Sequence, residues 1–440
     1  MTLVAQAAGP AQSFEWVGHV QPIEFQWLLR RVNQGESGVS DNPLERAKSK
    51  SAFTVFVIFL RLGLTSFGGP VAHLGFFREE FVIRRRWLSE RCYADLVALC
   101  QFLPGPASSQ VGIALGLSRA GYLGALAAWA GFTLPSAIAL IFFAMGIASY
   151  SEVIPVGVLQ GLQVAALAVV AQAVWGMGKN FCTDVARLSI MAAAACFVLC
   201  VPSVFSQIGV MLMAGLIGLV LFKPEHVFVP APLPIRVRRW VALFWLMVFF
   251  TLLIVLPLLA AHYSNQTLAL IDTFFRAGSL VFGGGHVVLP LLQAQVIPAG
   301  WLSNDAFLAG YAAAQAVPGP LFSFAAFLGG SINGVPSGWL AGMICLLAIF
   351  APSFLLVIGV LPFWESLRAN VRTQAALAGI NAAVVGLLLA ALYQPAWSSV
   401  IGQPKDFGLA LLACFALMFW KLPAWLVVVG SGVAGGLLAL

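Results

Sequence analysis

Two arginines stand in apolar surroundings at matching places in the chain. Arg61 lies in the run Phe59 to Pro70, FLRLGLTSFGGP, and Arg276 in the run Phe274 to Gly285, FFRAGSLVFGGG. An arginine deep in a membrane helix costs about 2.5–3.5 kcal/mol on insertion scales, so it normally faces the protein interior and finds a partner there. A guanidinium fork binds tetrahedral or planar oxyanions bidentately. A glycine follows each arginine two places on, and Phe-Gly-Gly ends each run: Gly63 with Phe67-Gly68-Gly69, and Gly278 with Phe282-Gly283-Gly284. Roughly 32 residues further on comes a second shared signature, Gln101 with Pro104-Gly105-Pro106 and Gln315 with Pro318-Gly319-Pro320. Such breaks leave free N–H groups at the start of the next half-helix, and these favour the same negative charge. Two halves of this kind would hold a dianion.

Hydroxyls and amides lie beside the breaks: Thr65, Ser66, Ser108, Ser109 and Gln110 in the first half, Ser279 and Ser323 in the second. The candidate substrate-binding set is therefore Arg61, Thr65, Ser66, Gly68, Gly69, Gln101, Gly105 and Ser108 with Arg276, Ser279, Gly283, Gly284, Gln315, Gly319 and Ser323. Simpler roles compete with it. Serine, threonine and glycine serve as packing residues in membrane helices, and each arginine could close a buried ion pair or cap backbone carbonyls. Proton-coupling candidates are His73 and His286, both just past Gly-Gly, and the carboxylates Glu79 and Asp95. Here too a structural histidine, or pairing of Glu79 and Glu80 with Arg84 to Arg86, is the plainer alternative. The first half is acidic at places where the second has Gln293, Gln295 and Ala309.

The elements that must position these residues are membrane helices. Hydrophobic residues make up 61% of the 440 and charged residues only 9%, against roughly 25% charged in a soluble domain. This composition leaves no room for a soluble catalytic domain. The net charge of +7 lies mostly in loops and reports orientation, not affinity for nucleic acid. Seven cysteines form no C-x-x-C pair and read as small core residues. Residues 1–50 lack the pattern of a signal peptide and are expected to form a polar cytosolic tail, with an amphipathic helix near Phe14 to Val32. Apolar segments are expected near 52–69, 70–83, 93–103, 107–118, 121–148, 154–178, 186–202, 205–222 and 240–261. They resume near 266–282, 286–297, 306–317, 320–333, 338–362, 374–393, 406–421 and 423–440. Gly-Gly-Pro and Pro-Gly-Pro break helices, so the short segments around them are expected to form bent or re-entrant hairpins.

The halves match beyond these motifs. Trp87-Leu88-Ser89 corresponds to Trp301-Leu302-Ser303, Pro135-Ser136 to Pro352-Ser353, and Gly161-Leu162-Gln163 to Gly379-Ile380-Asn381, at offsets of 214 to 218. Loops rich in Lys and Arg tend to stay in the cytoplasm. They lie at 78–91, at Arg119, at 179–187, at 223–239 and at 368–372, whereas 298–305 and 334–337 carry neither residue. That distribution predicts an all-α polytopic protein of two inverted repeats. Residues 51–222 are the first repeat, 223–265 a basic cytosolic loop with a connecting helix, and 266–440 the second, inverted repeat. The N-terminus is then cytoplasmic and the C-terminus periplasmic, with Lys405 the main discordant charge. Inverted repeats with broken helices are the plan of secondary transporters, whose site lies near the midplane.

At Phe67 to Pro70, Pro104 to Pro106, Pro318 to Pro320 and the degenerate Phe282 to Gly285, residues 52–440 resemble the chromate ion transporter family. The likeness is to its long-chain branch, in which two homologous halves are fused. Gly285 stands where that motif has proline. The resemblance implies a bacterial inner-membrane protein that expels chromate, a tetrahedral dianion close to sulfate in size, and so confers chromate resistance. No cofactor or metal is expected. The partners are the oxyanion and the bilayer, and a homodimer is the expected assembly. A dianion leaving a cell that is negative inside gains about 4.6 kcal/mol per 100 mV, and the chain has no G-x-x-x-x-G-K-[ST] loop for ATP. Two alternatives remain: a sulfate importer of the same fold, and a membrane oxyanion reductase. The latter would need a redox centre, for which neither paired histidines in apolar segments nor clustered cysteines are present.

Overall fold

The computed structural model describes residues 51–149, 155–201, 204–222, 235, 237–263, 265–282, 285–332, 334 and 336–438. The tail expected over 1–50, with its amphipathic helix, lies outside them, as do Gly283 and Gly284. Every described element is helical. The first half comprises α1 (Ala52–Thr65), α2 (Gly69–Arg78) with a π-helical turn (Glu79–Arg84), α3 (Glu90–Phe102), α4 (Ala107–Ser149), α5 (Val156–Phe181), α6 (Val185–Cys200) and α7 (Val204–Leu221). Helix α8 (Arg239–His262) connects to the second half. There α9 (Gln266–Leu280), α10 (Val288–Val296), α11 (Asn304–Ala316) and α12 (Phe324–Ser331) precede α13 (Gly338–Val360) and α14 (Trp364–Ala369). The chain closes with α15 (Val371–Ala391), α16 (Ser398–Val400), α17 (Pro404–Met418) and α18 (Ala424–Leu438).

Among the described residues, five helices are long and apolar enough to cross a membrane, as the composition of a multi-pass membrane protein requires. The segments expected at 107–118 and 121–148 join without a loop in α4. A straight helix of that length would span about 60 Å, twice a hydrocarbon core of roughly 30 Å. The chain instead reverses at Ala120 (φ −137°) and Gly121 (φ +61°, ψ −149°), and the arms lie so close that a Cβ on Gly116 would strike the Gly124 carbonyl. Helix α8 is peripheral: Trp240, Phe244, Met247, Phe250, Ile254 and Leu258 are all exposed, as suits a helix that faces lipid.

The two halves are interleaved. Helix α5 of the first half packs on α17 and α18 of the second, while α15 of the second packs on α6 and α7 of the first. The matching glycines explain how. A Cβ on Gly161 would collide with the Ser431 carbonyl, and one on Gly379 with the Ala214 carbonyl, so each glycine lets a helix of one half lie backbone to backbone on the other. The repeated Trp-Leu-Ser has a local cause: Ser89 Oγ accepts from the Cys92 N–H at 3.3 Å and Ser303 Oγ from the Ala306 N–H at 3.2 Å. Each serine caps the helix that leads to a Pro-Gly-Pro break.

Candidate functional site

All four breaks are helix ends, and they meet across the repeat. Helix α1 stops at Thr65 and α2 begins at Gly69, with Gly68 at φ +103° and Gly69 at φ +78°. Helix α3 stops at Phe102 and α4 begins at Ala107, the turn made by Gly105 at φ +121°; its counterpart Gly319 has φ +112°. The Gly105 N–H donates to the Val281 carbonyl at 2.7 Å, and the Gly319 N–H donates to the Ser66 carbonyl at 3.1 Å. Thus the Pro-Gly-Pro of each half is tied to the end of the broken first helix of the other. The Phe-Gly-Gly motifs also approach, since a Cβ on Gly285 would lie 3.6 Å from Pro70 Cγ and 3.6 Å from Leu321 Cδ2.

The repeated Pro-Ser pairs complete this crossing. A Cβ on Gly105 would come within 2.9 Å of Ser353 Oγ, and one on Gly319 within 2.8 Å of Ser136 Oγ, so each hydroxyl stands at the opposite half's break. Ser136 donates to the Thr133 carbonyl at 2.9 Å. Ser353 Oγ, by contrast, is buried without a partner among the described residues, and so are Ser66 Oγ, Ser109 Oγ and Thr133 Oγ1. His73 sits edge-on to Phe132, ring centroids 5.2 Å apart. A buried polar group left unpaired costs about 1–3 kcal/mol, and native interiors hold few of them. Ser353 and Ser66 lie at the two Pro-Gly-Pro turns, and Ser109 lies in the first turn of α4, whose N–H groups have no intrahelical acceptor. That is the chemistry of a site that supplies neutral hydrogen-bond donors to an anion.

The other sequence candidates fall into separate places. Arg61 is exposed, on the face of α1 away from the buried Phe59, Leu62 and Gly63, and its guanidinium bonds to no described residue. Arg276 is half-buried and closes an ion pair with Asp272, Nη2 to Oδ2 2.6 Å, while also donating to Gln295 Oε1 at 2.9 Å. Asp272 was not singled out by motif reading, because no residue of its kind stands at the matching place, Val57. Its signal was its spacing, four residues before an arginine on one helix face. Thr65 and Ser279 donate back to the carbonyls of Arg61 and Phe275 at 2.8 and 2.7 Å, Ser323 donates to the Pro320 carbonyl at 2.7 Å, and Ser108 is buried. Gln101 is exposed; Gln315 Nε2 is buried and unpaired.

Of the proton candidates, Glu79 is exposed and Asp95 accepts from Trp364 Nε1 at 3.3 Å, linking α3 to α14 of the other half. His286 Nδ1 lies 2.7 Å from Tyr311 Oη. Glu80 bonds Arg85 at 2.6 Å and Arg84 at 3.4 Å. Burial pushes its carboxyl up, but the two guanidiniums outweigh that and hold it below the usual carboxylate value. Among the described residues no group of three or more His, Cys, Asp or Glu could hold a metal ion.

The sequence profile of the family described as "Chromate transporter" matches residues 53–219 and again 268–436. A chromate transport protein of Pseudomonas aeruginosa is 29% identical over 402 residues, covering 87% of this chain and 91% of its own. An uncharacterised transporter of Methanocaldococcus jannaschii is 26% identical over 405 residues, 90% and 96% of the two chains. A probable chromate transport protein of Synechococcus elongatus is 29% identical over 385 residues, 86% and 93%. No solved structure matches.

Proposed function

The chain belongs to the chromate transporter family, and from that premise we propose that it exports chromate across a bacterial inner membrane by alternating access and so confers chromate resistance. The substrate sits where the four breaks cross, held by first-turn N–H groups and by the unpaired hydroxyls of Ser66, Ser109, Thr133 and Ser353. The two halves, 51–222 and 266–440, are inverted about the connecting helix α8, with re-entrant hairpins at the breaks, a cytoplasmic N-terminus and a periplasmic C-terminus. Lys405, the discordant charge, donates to the Leu438 carbonyl at 3.0 Å, which keeps it at a helix end. The observation that carries the reading is the reciprocal pair of hydrogen bonds between halves at Gly105 and Gly319. A site shared equally by two rigid halves can be opened to either side by rocking one against the other.

Sulfate has the same charge and shape, so direction and selectivity are separate questions for experiment. The test is chromate retention in sensitive cells that express the protein, with excess sulfate as competitor. An exporter lowers retained chromate; higher retention blocked by sulfate would mean an importer. Ser66→Ala and Ser353→Ala are the diagnostic variants. An unpaired buried hydroxyl adds nothing to folding, so its removal is neutral or stabilising, while transport falls by at least tenfold. Wild-type transport in both variants would overturn the proposed site.

A further inference from the structure

The crossing leaves the Arg276 ion pair unexplained. Arg276 lies five residues before Val281, whose carbonyl joins the crossing, or about 7.5 Å along the helix at 1.5 Å per residue. Asp272 and Arg276 form a neutral pair inside an apolar helix, and Gln295 accepts from the same Nη2. Arg276 Nε is buried and donates to nothing, so the fork is not fully used. The repeat makes the pair informative. In the first half Val57 stands for Asp272, Arg61 has no partner among the described residues, and Glu80, in the place of Gln295, is turned to Arg84 and Arg85. A pair needed only to stabilise the fold would serve both halves. The helices packed against α9 are α8, α10 and α13. They bring no second carboxylate. Their titratable groups are Cys345 on α13 and Arg239 and His262 at the two ends of α8; α10 has none.

We propose that Asp272 is the internal counter-anion that the travelling oxyanion displaces from Arg276, and that the freed carboxylate then takes one proton from the solution facing the site. This deepens the reading above and rests on it. An ionised carboxylate deprived of its guanidinium beside a dianion meets both desolvation and like-charge repulsion, and both favour its protonated form. When the oxyanion leaves, Asp272 returns its proton and closes on Arg276 again. One proton therefore crosses with each dianion, and the cycle moves one net negative charge. Arg61, with no carboxylate beside it, attracts the anion without proton exchange.

The test uses the full-length protein in liposomes, at pH values alkaline enough to keep chromate itself a dianion. Wild-type protein is expected to gain about tenfold in apparent chromate affinity per pH unit of acidification on the substrate side, as uptake of one proton requires. Asp272→Asn is expected to bind chromate with a lower KM, turn over more slowly and lose the pH dependence; Asp272→Glu should keep it. Should the Asn variant fail to fold, purified wild-type protein in weak buffer with a pH-indicator dye gives the same answer, with about one proton taken up per chromate bound. A wild-type flux independent of pH, an Asp272→Asn variant with the wild-type pH profile, or binding without proton uptake would each overturn the proposal. Liposomes that carry no chromate at all would instead sink the transport reading on which it rests.

Discussion

Arg61 and Arg276 occupy one repeat position and do different physical work. Removing Arg276 alone strands Asp272 as an uncompensated charge in a span, a loss of about 3–5 kcal/mol for a broken buried pair. Arg276→Gln should therefore lower the amount of folded protein in the membrane, measured by thermal unfolding in detergent, and Asp272→Asn in the same chain should restore much of it. Arg61→Gln removes an exposed group that bonds to no described residue, so folded protein should be unchanged while chromate flux falls several-fold. Equal thermal stability of the two single variants would contradict this asymmetry. Motif spacing marked both arginines, but spacing along a chain cannot say which has a counter-ion. Asp272 shows why, because its meaning depends on which helices close around it.

At the scale of elements, the breaks matter more than the spans. Gly105 and Gly319 take positive φ, where an L side chain is strained by about 1–3 kcal/mol, and a Cβ there also meets Ser353 or Ser136. Gly105→Ala and Gly319→Ala should each lower the unfolding temperature and abolish transport. Gly176→Ala, where an added Cβ meets nothing within 4 Å, should leave both intact. Transport unaffected in the Gly105 and Gly319 variants would mean that the crossing is not the site. The placing of every break was legible in Gly-Gly and Pro-Gly-Pro, because these residues disfavour helix whatever surrounds them. The structure departs from the expected segments at α4, where two of them meet at Ala120 and Gly121 with no loop between them, and at the short helices α14 and α16, which no apolar run marks.

At the scale of the molecule, neither half is a domain in the usual sense. Each contributes a long helix, α5 or α15, that packs on the last two helices of the other, and each Pro-Gly-Pro is hydrogen-bonded to the other's broken helix. Chains cut between Phe222 and Ile235 should give two fragments that are degraded when expressed singly and recovered, with transport, when expressed together. A stable, monodisperse first half alone would refute the interleaving. Inversion of the halves is tested separately by labelling single cysteines placed in 78–91 and in 298–305, which should react from opposite sides of the membrane.

Composition and local chemistry sufficed for the membrane class, the place of most helices, the duplicated plan and the four breaks, because helix length, apolarity and the conformational limits of glycine and proline act within a few residues of chain. Contacts hundreds of residues apart were decided only by the tertiary structure: Gly105 with Val281, Gly319 with Ser66, and the serines of each Pro-Ser pair with the opposite half. So was the pairing of Arg276 with Asp272, where Arg61 bonds to no described residue. Hydrogen-bond partners and counter-ions are set by which backbones approach one another, and that approach is a property of the packed whole.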